Sequence, residues 1–259
     1  MNNKFKVAAV QLRIDQSDKE IIEDIERYIK KAKKKGAKII CFPEDTFYSG
    51  PKRNEMLLEQ VKKSCKEHKI WAILAAHFKE KKYVYNEAIL ISDRGKKIGE
   101  HKKVHVYDSY HIHSGSRFDI FNTPFCQVGL AICWDISCPK SIQEMARKGA
   151  KIIFCPMYWC YENWSHKEKH EKLESALLRS LILTRAFENQ VYFVFCNPYD
   201  KSEPTLVSHT MIAEPHRILA EIQHKPGIIF AEIDLDHLKR IRKAYLKECK
   251  WKTLREFLA

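Results

Sequence analysis

The sequence predicts a layered α/β fold with a mixed sheet in one domain, and three observations carry the prediction. Short apolar runs of β character alternate with stretches of helical period along nearly the whole length. Two consecutive strand–helix–strand units, residues 128–155 and 151–196, follow one another, a pattern that produces parallel strands. No Gly/Pro/Ser-rich linker and no repeat of fixed period interrupts the 259 residues, a length that α/β folds often fill as one unit.

The elements follow in order. Strands are expected over residues 7–12, 38–42, 70–75, 84–91, 128–133, 151–155, 191–196 and 228–233. Ile21, Ile25, Tyr28, Ile29 and Ala32 form one apolar stripe at helical spacing, and Gly36 stands where a C′ glycine ends such a helix. Met56, Val61 and Cys65 mark a second helix after Pro51. Ile142, Met145 and Ala146 mark a third, opened near Pro139 and closed by Gly149. Ser165-His166-Lys167-Glu168 reads as a capping box before a long fourth helix through Leu173, Leu177, Leu181 and Thr184. Residues 70–106 read instead as consecutive strands, with a turn at Asp93-Arg94-Gly95.

Composition narrows the class. Hydrophobic residues make up 45% and charged residues 31%, enough for a core and a solvated surface, which excludes a disordered or collagen-like chain. The nine cysteines are an odd number without a CxxC pair. Together with the lack of an export signal or a run of roughly 18–20 apolar residues, this points to a reducing, cytoplasmic setting. Lys and Arg number 46 against 33 Asp and Glu, a formal charge of +13, which raises the question of a polyanion partner. The densest basic run, residues 30–35, falls at the C-terminal end of the first helix, where cations complement the macrodipole. Nucleic acid is therefore not expected as a partner. The positive field is expected to favour anionic small molecules mildly.

Three places put reactive side chains at strand ends, where α/β folds tend to build sites. These are Phe42-Pro43-Glu44-Asp45, His101-Lys102-Lys103-Val104-His105, and Gly129-Leu130-Ala131-Ile132-Cys133-Trp134-Asp135. A cysteine delivered into a turn ahead of a helix can attack a carbonyl. The N–H groups that follow can hold an oxyanion, and neighbouring positive charge lowers a thiol pKa. Each feature alone is commonplace, since a strand-end cysteine is more often a packing residue.

In this order the three motifs resemble the nitrilase superfamily of carbon–nitrogen hydrolases. The resemblance extends over almost the whole chain. Supporting segments are Lys6-Val7-Ala8-Ala9-Val10-Gln11, Gly149-Ala150-Lys151-Ile152-Ile153, Arg185-Ala186-Phe187-Glu188-Asn189-Gln190-Val191-Tyr192 leading into Asn197, Ser208-His209-Thr210 with Pro215, and Ala231-Glu232-Ile233-Asp234. It implies a four-layer α-β-β-α sandwich over residues 1–259, dimeric or larger, with the sheets pairing across subunits and residues 235–259 as a tail at the interface. It implies Cys133 as nucleophile, Glu44 as general base and acid, and Lys103 with the Trp134 N–H as oxyanion donors, with no metal or organic cofactor. The implied reaction is hydrolysis of a non-peptide C–N bond, an amide or N-carbamoyl group, through a thioester. A nitrile substrate, acyl transfer to an amine and a non-catalytic scaffold are the alternatives.

The sequence departs from the family pattern in places. The loop between lysine and cysteine lacks the usual glutamate; Asp108 stands near its position, seven residues before Gly115, while His111 and His113 alternate nearby. After the nucleophile, Lys140 and Gln143 replace a family Glu and Arg. Residues 156–159 lack the family's asparagine. Tyr48, Trp134, Tyr158 and Trp159 are the aromatic candidates for a pocket wall. For a metal, Cys133/Cys138, Cys155/Cys160 and the i,i+4 pair His166/His170 have tolerable spacing, but the histidines sit in a charged first turn, so no metal site is expected.

Overall fold

A computed structural model describes residues 3–107, 111–161 and 170–248. Two six-stranded mixed sheets form the centre of the molecule. In chain order the elements are β1 (Lys4–Gln11), α1 (Asp18–Lys34), β2 (Ala37–Cys41), α2 (Pro51–His68), β3 (Trp71–Glu80), β4 (Tyr83–Ile91), β5 (Lys97–Lys102), β6 (Ile120–Asn122) and β7 (Gln127–Leu130). A 3-10 turn over Cys133–Ser137 leads to α3 (Pro139–Lys148), β8 (Ile152–Pro156), α4 (His170–Asn189), β9 (Tyr192–Cys196), β10 (His209–Glu214), β11 (Arg217–Gln223), β12 (Gly227–Asp234) and α5 (Leu235–Glu248). The first sheet runs β12-β1-β2-β3-β4-β5 and the second β11-β10-β9-β8-β7-β6. β1, β2 and β3 are parallel, as are β7, β8 and β9, and the outer strands add antiparallel to each trio. The expected strand–helix–strand units are thus β7-α3-β8 and β8-α4-β9.

The layering follows from strand periodicity. Successive strand side chains point to opposite faces. In β1, Val7 and Ala9 join the core between the sheets, while Ala8 and Val10 pack under the helices. β3 repeats this, with Trp71, Ile73 and Ala75 on one side and Ala72, Leu74 and Ala76 on the other. A strand buried on both faces needs a continuous apolar run, which is what these stretches have. The smaller core lies against α1 and α2, and the larger one includes Ile142 and Met145 of α3 and Leu178 and Ile182 of α4. The architecture is an α/β sandwich of two mixed sheets flanked by helices.

Local chemistry sets the helix ends. Ser17 caps α1, accepting from the Glu20 N–H while Glu20 accepts from the Ser17 N–H, and Gly36 takes the left-handed conformation just beyond its end (φ 80°). The five residues buried on α1 are the five of its sequence stripe. Two other helices differ from expectation. Met56 on α2 is 56% exposed, and Leu57 and Leu58 are buried in its place. On α4, Leu173 (58%) and Leu177 (51%) are exposed, whereas Leu178, Ile182 and Ala186 are buried. That helix carries apolar residues on more than one side, so periodicity alone leaves its inward face undecided. The expected capping box at residues 165–168 and His166 lie outside the described residues, as does Asp108.

The basic segments are absorbed locally. Lys30 pairs with Glu26 at 2.6 Å, and Lys33 donates to the Lys69 carbonyl. On α5, Arg242 is buried with Leu238 and Ile241 and donates to the carbonyls of Gln190 and Ala150. That burial lowers its pKa to about 10. Among the described residues no helix is long and apolar enough to cross a membrane.

Candidate active site

The carboxyl ends of β2, β7 and β8 bring the site together. β2 ends at Cys41, and Phe42-Pro43 lead out of it to Glu44, whose N–H donates to the Met157 carbonyl at 3.1 Å. Thr46 clamps this turn by donating its hydroxyl to the Pro43 carbonyl at 2.6 Å. The polypeptide leaves β5 at Lys102, and the Lys103 N–H bonds the Asn86 carbonyl on β4 at 2.9 Å. β7 stops at Leu130, short of the expected Cys133, because Cys133 opens the 3-10 turn with φ 44°. A left-handed cysteine costs on the order of 1–3 kcal/mol, and it turns the backbone sharply so that the thiol leaves the strand line.

The three sequence candidates converge. Glu44 Oε1 accepts from Lys103 Nζ at 2.7 Å and from Asn86 Nδ2 at 2.6 Å. Glu44 Oε2 accepts the Tyr158 N–H at 2.9 Å. The carbonyl of that same Tyr158 accepts the Cys133 thiol at 3.6 Å. The backbone of one residue after β8, Tyr158, therefore holds the carboxylate by its N–H and the thiol by its carbonyl. Glu44, Lys103 and Cys133 are all buried.

Burial dominates the electrostatics. It pushes the Cys133 thiol well above its ordinary range, and the Glu44 charge adds to that rise while Lys103 opposes it. This corrects the expectation of a thiol pKa lowered by neighbouring positive charge: desolvation exceeds what one lysine returns. Burial also works against the Lys103 ammonium, but the charge and hydrogen bond of Glu44 hold its pKa well above the usual value. The resting arrangement is a neutral thiol beside a Glu44–Lys103 ion pair.

A second carboxylate, Asp135, braces this centre. Its Oδ1 accepts the N–H groups of His105 at 2.8 Å and Val104 at 3.1 Å, and its Oδ2 accepts the Ile132 N–H at 3.0 Å. His101 Nε2 lies 2.8 Å from Oδ2. The side chain ties the lysine segment to the cysteine turn. Burial opposes its charge, yet these hydrogen bonds hold its pKa below the ordinary carboxylate value. On the other side, Arg185 of α4 donates to the Ile136 carbonyl at 2.9 Å and supports the 3-10 turn.

A cavity of about 740 Å³ opens onto these groups. Tyr48, Trp134, Tyr158 and Trp159 all line it, with Trp134 and Trp159 stacked at 5.0 Å and Tyr107 4.6 Å from Trp134. Trp159 is held from both ends, its N–H donating to Asn197 at 2.8 Å and its indole to Glu174 at 3.1 Å. His111 and His113 are exposed outside the cavity lining, and Ile112 between them faces it. Lys140 is exposed and Gln143 half-buried on α3, away from the lining. Among the described residues no group of three metal-ligating side chains could hold an ion.

Sequence reasoning missed Asn86, Asp45, His77 and Glu174 in the lining, and the bracing role of Asp135. Asp135 sat within a quoted motif, so its place was visible but its partners were not. Asn86 lies in the middle of a strand and carries no local signal.

Comparisons with known proteins bear on the family and the fold. A family profile described as carbon-nitrogen hydrolase matches residues 6–243. The omega-amidase NIT2-A of Xenopus laevis is 27% identical over 93% of this chain and 92% of its own length. The structure of Nit3 from Saccharomyces cerevisiae, a member of the nitrilase superfamily, superposes with a TM-score of 0.81 at 26% identity, covering 93% of this chain and 94% of that one. A carbon-nitrogen hydrolase from Helicobacter pylori gives 0.84 at 21% identity over 94% of each chain, a likeness of fold. With the family matched over most of its length, this chain belongs to the carbon–nitrogen hydrolases of the nitrilase superfamily.

Proposed function

We propose that the protein hydrolyses the amide of a small molecule through a thioester on Cys133. The observation that carries this reading is the Tyr158 backbone, which holds Glu44 by its N–H and Cys133 by its carbonyl beside Lys103. In the proposed cycle the Cys133 thiol gives its proton to Glu44 as Sγ attacks the carbonyl carbon. Lys103 Nζ and the Trp134 N–H receive the oxyanion, each donor worth about 3–4 kcal/mol in comparable sites. The intermediate collapses, the C–N bond breaks, and Glu44 returns its proton to the departing ammonia. A water deprotonated by Glu44 then attacks the thioester; the C–S bond breaks, and the proton held by Glu44 restores the thiol.

The raised thiol pKa fits a concerted transfer, because Glu44 takes the proton only as the C–S bond forms. An amide is favoured over N-carbamoyl and nitrile substrates by likeness to proteins named omega-amidases. The reading takes the chain as one domain that needs no cofactor, acting in the cytoplasm as a homo-oligomer. The exposed Leu173, Leu177 and Phe187 on α4 supply apolar surface for self-association. Asp108 remains a candidate second carboxylate outside the described residues.

Ammonia release over a panel of ω-amides, N-carbamoyl amines and nitriles tests the proposal. Turnover of the amides should fall by ~10³-fold or more in Cys133→Ala. Full activity of that variant would sink the mechanism.

A further inference from the structure

The donors around Glu44 are shared unequally between its two oxygens. Oε1 accepts from Lys103 Nζ at 2.7 Å and from Asn86 Nδ2 at 2.6 Å, whereas Oε2 accepts one hydrogen bond, from the Tyr158 N–H at 2.9 Å. We propose that Asn86 is a positioning residue: by filling Oε1 together with Lys103, it makes Oε2 the oxygen that takes the Cys133 proton. The proposal rests on the amide-hydrolysis reading and adds the atom that carries the proton and the residue that selects it.

The setting of Asn86 points to this role. On β4 it shares a face with Ala88 and Leu90, both in the core between the sheets, and it is 4% exposed. An amide on such a face needs partners. An ionised carboxylate only accepts, so the NH2 end of the amide must be the end that meets Glu44. Oδ1 is then left sealed from solvent without a donor, which costs stability. Packing alone would be served as well by an apolar side chain; what the amide adds is one short hydrogen bond to the carboxylate. The main chain of the same residue serves the other half of the ion pair, because its carbonyl accepts the Lys103 N–H at 2.9 Å. Every substitution at position 86 retains that carbonyl, so side-chain variants report on Glu44 and leave the lysine segment tied.

The chemistry follows from counting acceptor sites. A carboxylate offers about four, two on each oxygen. Lys103 and Asn86 fill both sites of Oε1, and among the described residues Oε2 keeps one open. Oε2 also lies on the Tyr158 backbone whose carbonyl holds the Cys133 thiol. As Sγ bonds the carbonyl carbon, the thiol proton passes to the open site of Oε2, and from there to the departing ammonia as the C–N bond breaks. The terminal torsion of a glutamate is broad, and the ammonium of a lysine is a point charge that either oxygen can serve. The second donor on Oε1 therefore fixes the carboxylate plane.

Asn86→Leu keeps the approximate size of the side chain and removes the donor; Asn86→Ala stands in if leucine prevents folding. With the ω-amide that wild type hydrolyses fastest, kcat should fall ~10-fold or more while KM stays in place, because the base is misplaced and no substrate contact is lost. The acid limb of the kcat/KM profile should move to higher pH, since the charged carboxylate loses a donor. Lys103, Asp45, His77 and Cys133 line the same cavity as Glu44 and are common to wild type and variant, so the displacement of the limb is the reading. The denaturation midpoint of Asn86→Leu should equal or exceed that of wild type, because the unpaired oxygen is gone. An unchanged kcat in both variants, or a fall in kcat with the acid limb in place, overturns the proposal and leaves a Cys133-dependent amidase standing. Alkylation of Cys133 by iodoacetamide, read by peptide mapping, needs no turnover: the S–C bond forms, iodide leaves and Glu44 takes the thiol proton. Both variants should slow it ~5-fold or more at pH 7. If wild type hydrolyses no amide, that slowing supports the role of Asn86 and removes the amidase reading, whereas an unchanged rate removes both.

Discussion

Asp135 Oδ2 lies 2.8 Å from His101 Nε2, with both side chains shut off from solvent. The carboxylate also accepts backbone N–H groups on either side of the cleft, from Val104 and His105 on one strand exit and from Ile132 on the other, and His105 Nδ1 lies 3.4 Å from Oδ1. An acceptor used this way works as a clasp between two loops that no strand pairing joins.

Replacing it should uncouple those loops. Asp135→Asn puts an amide N–H where at least one donor already points, which leaves buried donors unpaired. The expected cost is about 3–5 kcal/mol of stability, visible in chemical denaturation. Asp135→Asn should also lower kcat more than it raises KM, because the misplaced partner is Lys103 rather than a substrate contact. A variant with ordinary kcat in its folded fraction would argue against the clasp.

The buried thiol makes a prediction about the resting enzyme. Cys133 is held protonated by burial and by Glu44, so a small neutral thiol reagent such as methyl methanethiosulfonate should modify it slowly at pH 7. The rate should climb through the alkaline range. Peptide mapping by mass spectrometry distinguishes Cys133 from Cys160, which also lines the cavity. Modification at pH 7 as fast as that of a free cysteine would show that the resting site already holds a thiolate.

Burial of the Asp45 carboxyl should make stability depend on pH. Its folded-state pKa of about 7 lies above the ordinary 3.8, so the folded state binds the proton more tightly than the unfolded state does. Stability from this group is therefore full below about pH 4 and is lost as pH rises towards 7. Asp45→Asn never ionises and should be more stable than wild type at pH 8, by a few kcal/mol in order of magnitude. The gain should shrink as pH falls from 8 towards 5. Thermal denaturation at those two pH values checks it, and an equal shift at both would refute the assignment.

Gly115 supplies a steric test. A Cβ there would meet the Lys102 carbonyl oxygen at 2.2 Å, while the Gly115 N–H donates to the Lys103 carbonyl at 2.8 Å. Only glycine lets the loop lie this close to the lysine segment. Gly115→Ala should reduce kcat by ~10-fold or more, since misplacements of about an ångström carry costs of that scale. The fold should survive, and retained circular dichroism with lost activity is the expected pair of readings.

Much of this molecule was legible in its sequence. The stripe of α1, the turn at Gly36, the parallel β7-α3-β8-α4-β9 series and the three strand-end motifs all follow from periodicity, caps and turns, which are local properties. Glu44, Lys103 and Cys133 each follow their own strand, and they could be named because the three motifs in that order resemble the nitrilase superfamily. What only the tertiary structure decided is how distant segments meet. The inward face of α4 depends on which side the second sheet covers. The bracing by Asp135 and the Tyr158 backbone between acid and thiol both join residues far apart in the chain. The thiol's protonation was decided there too, because desolvation depends on everything packed around a group rather than on its sequence neighbours.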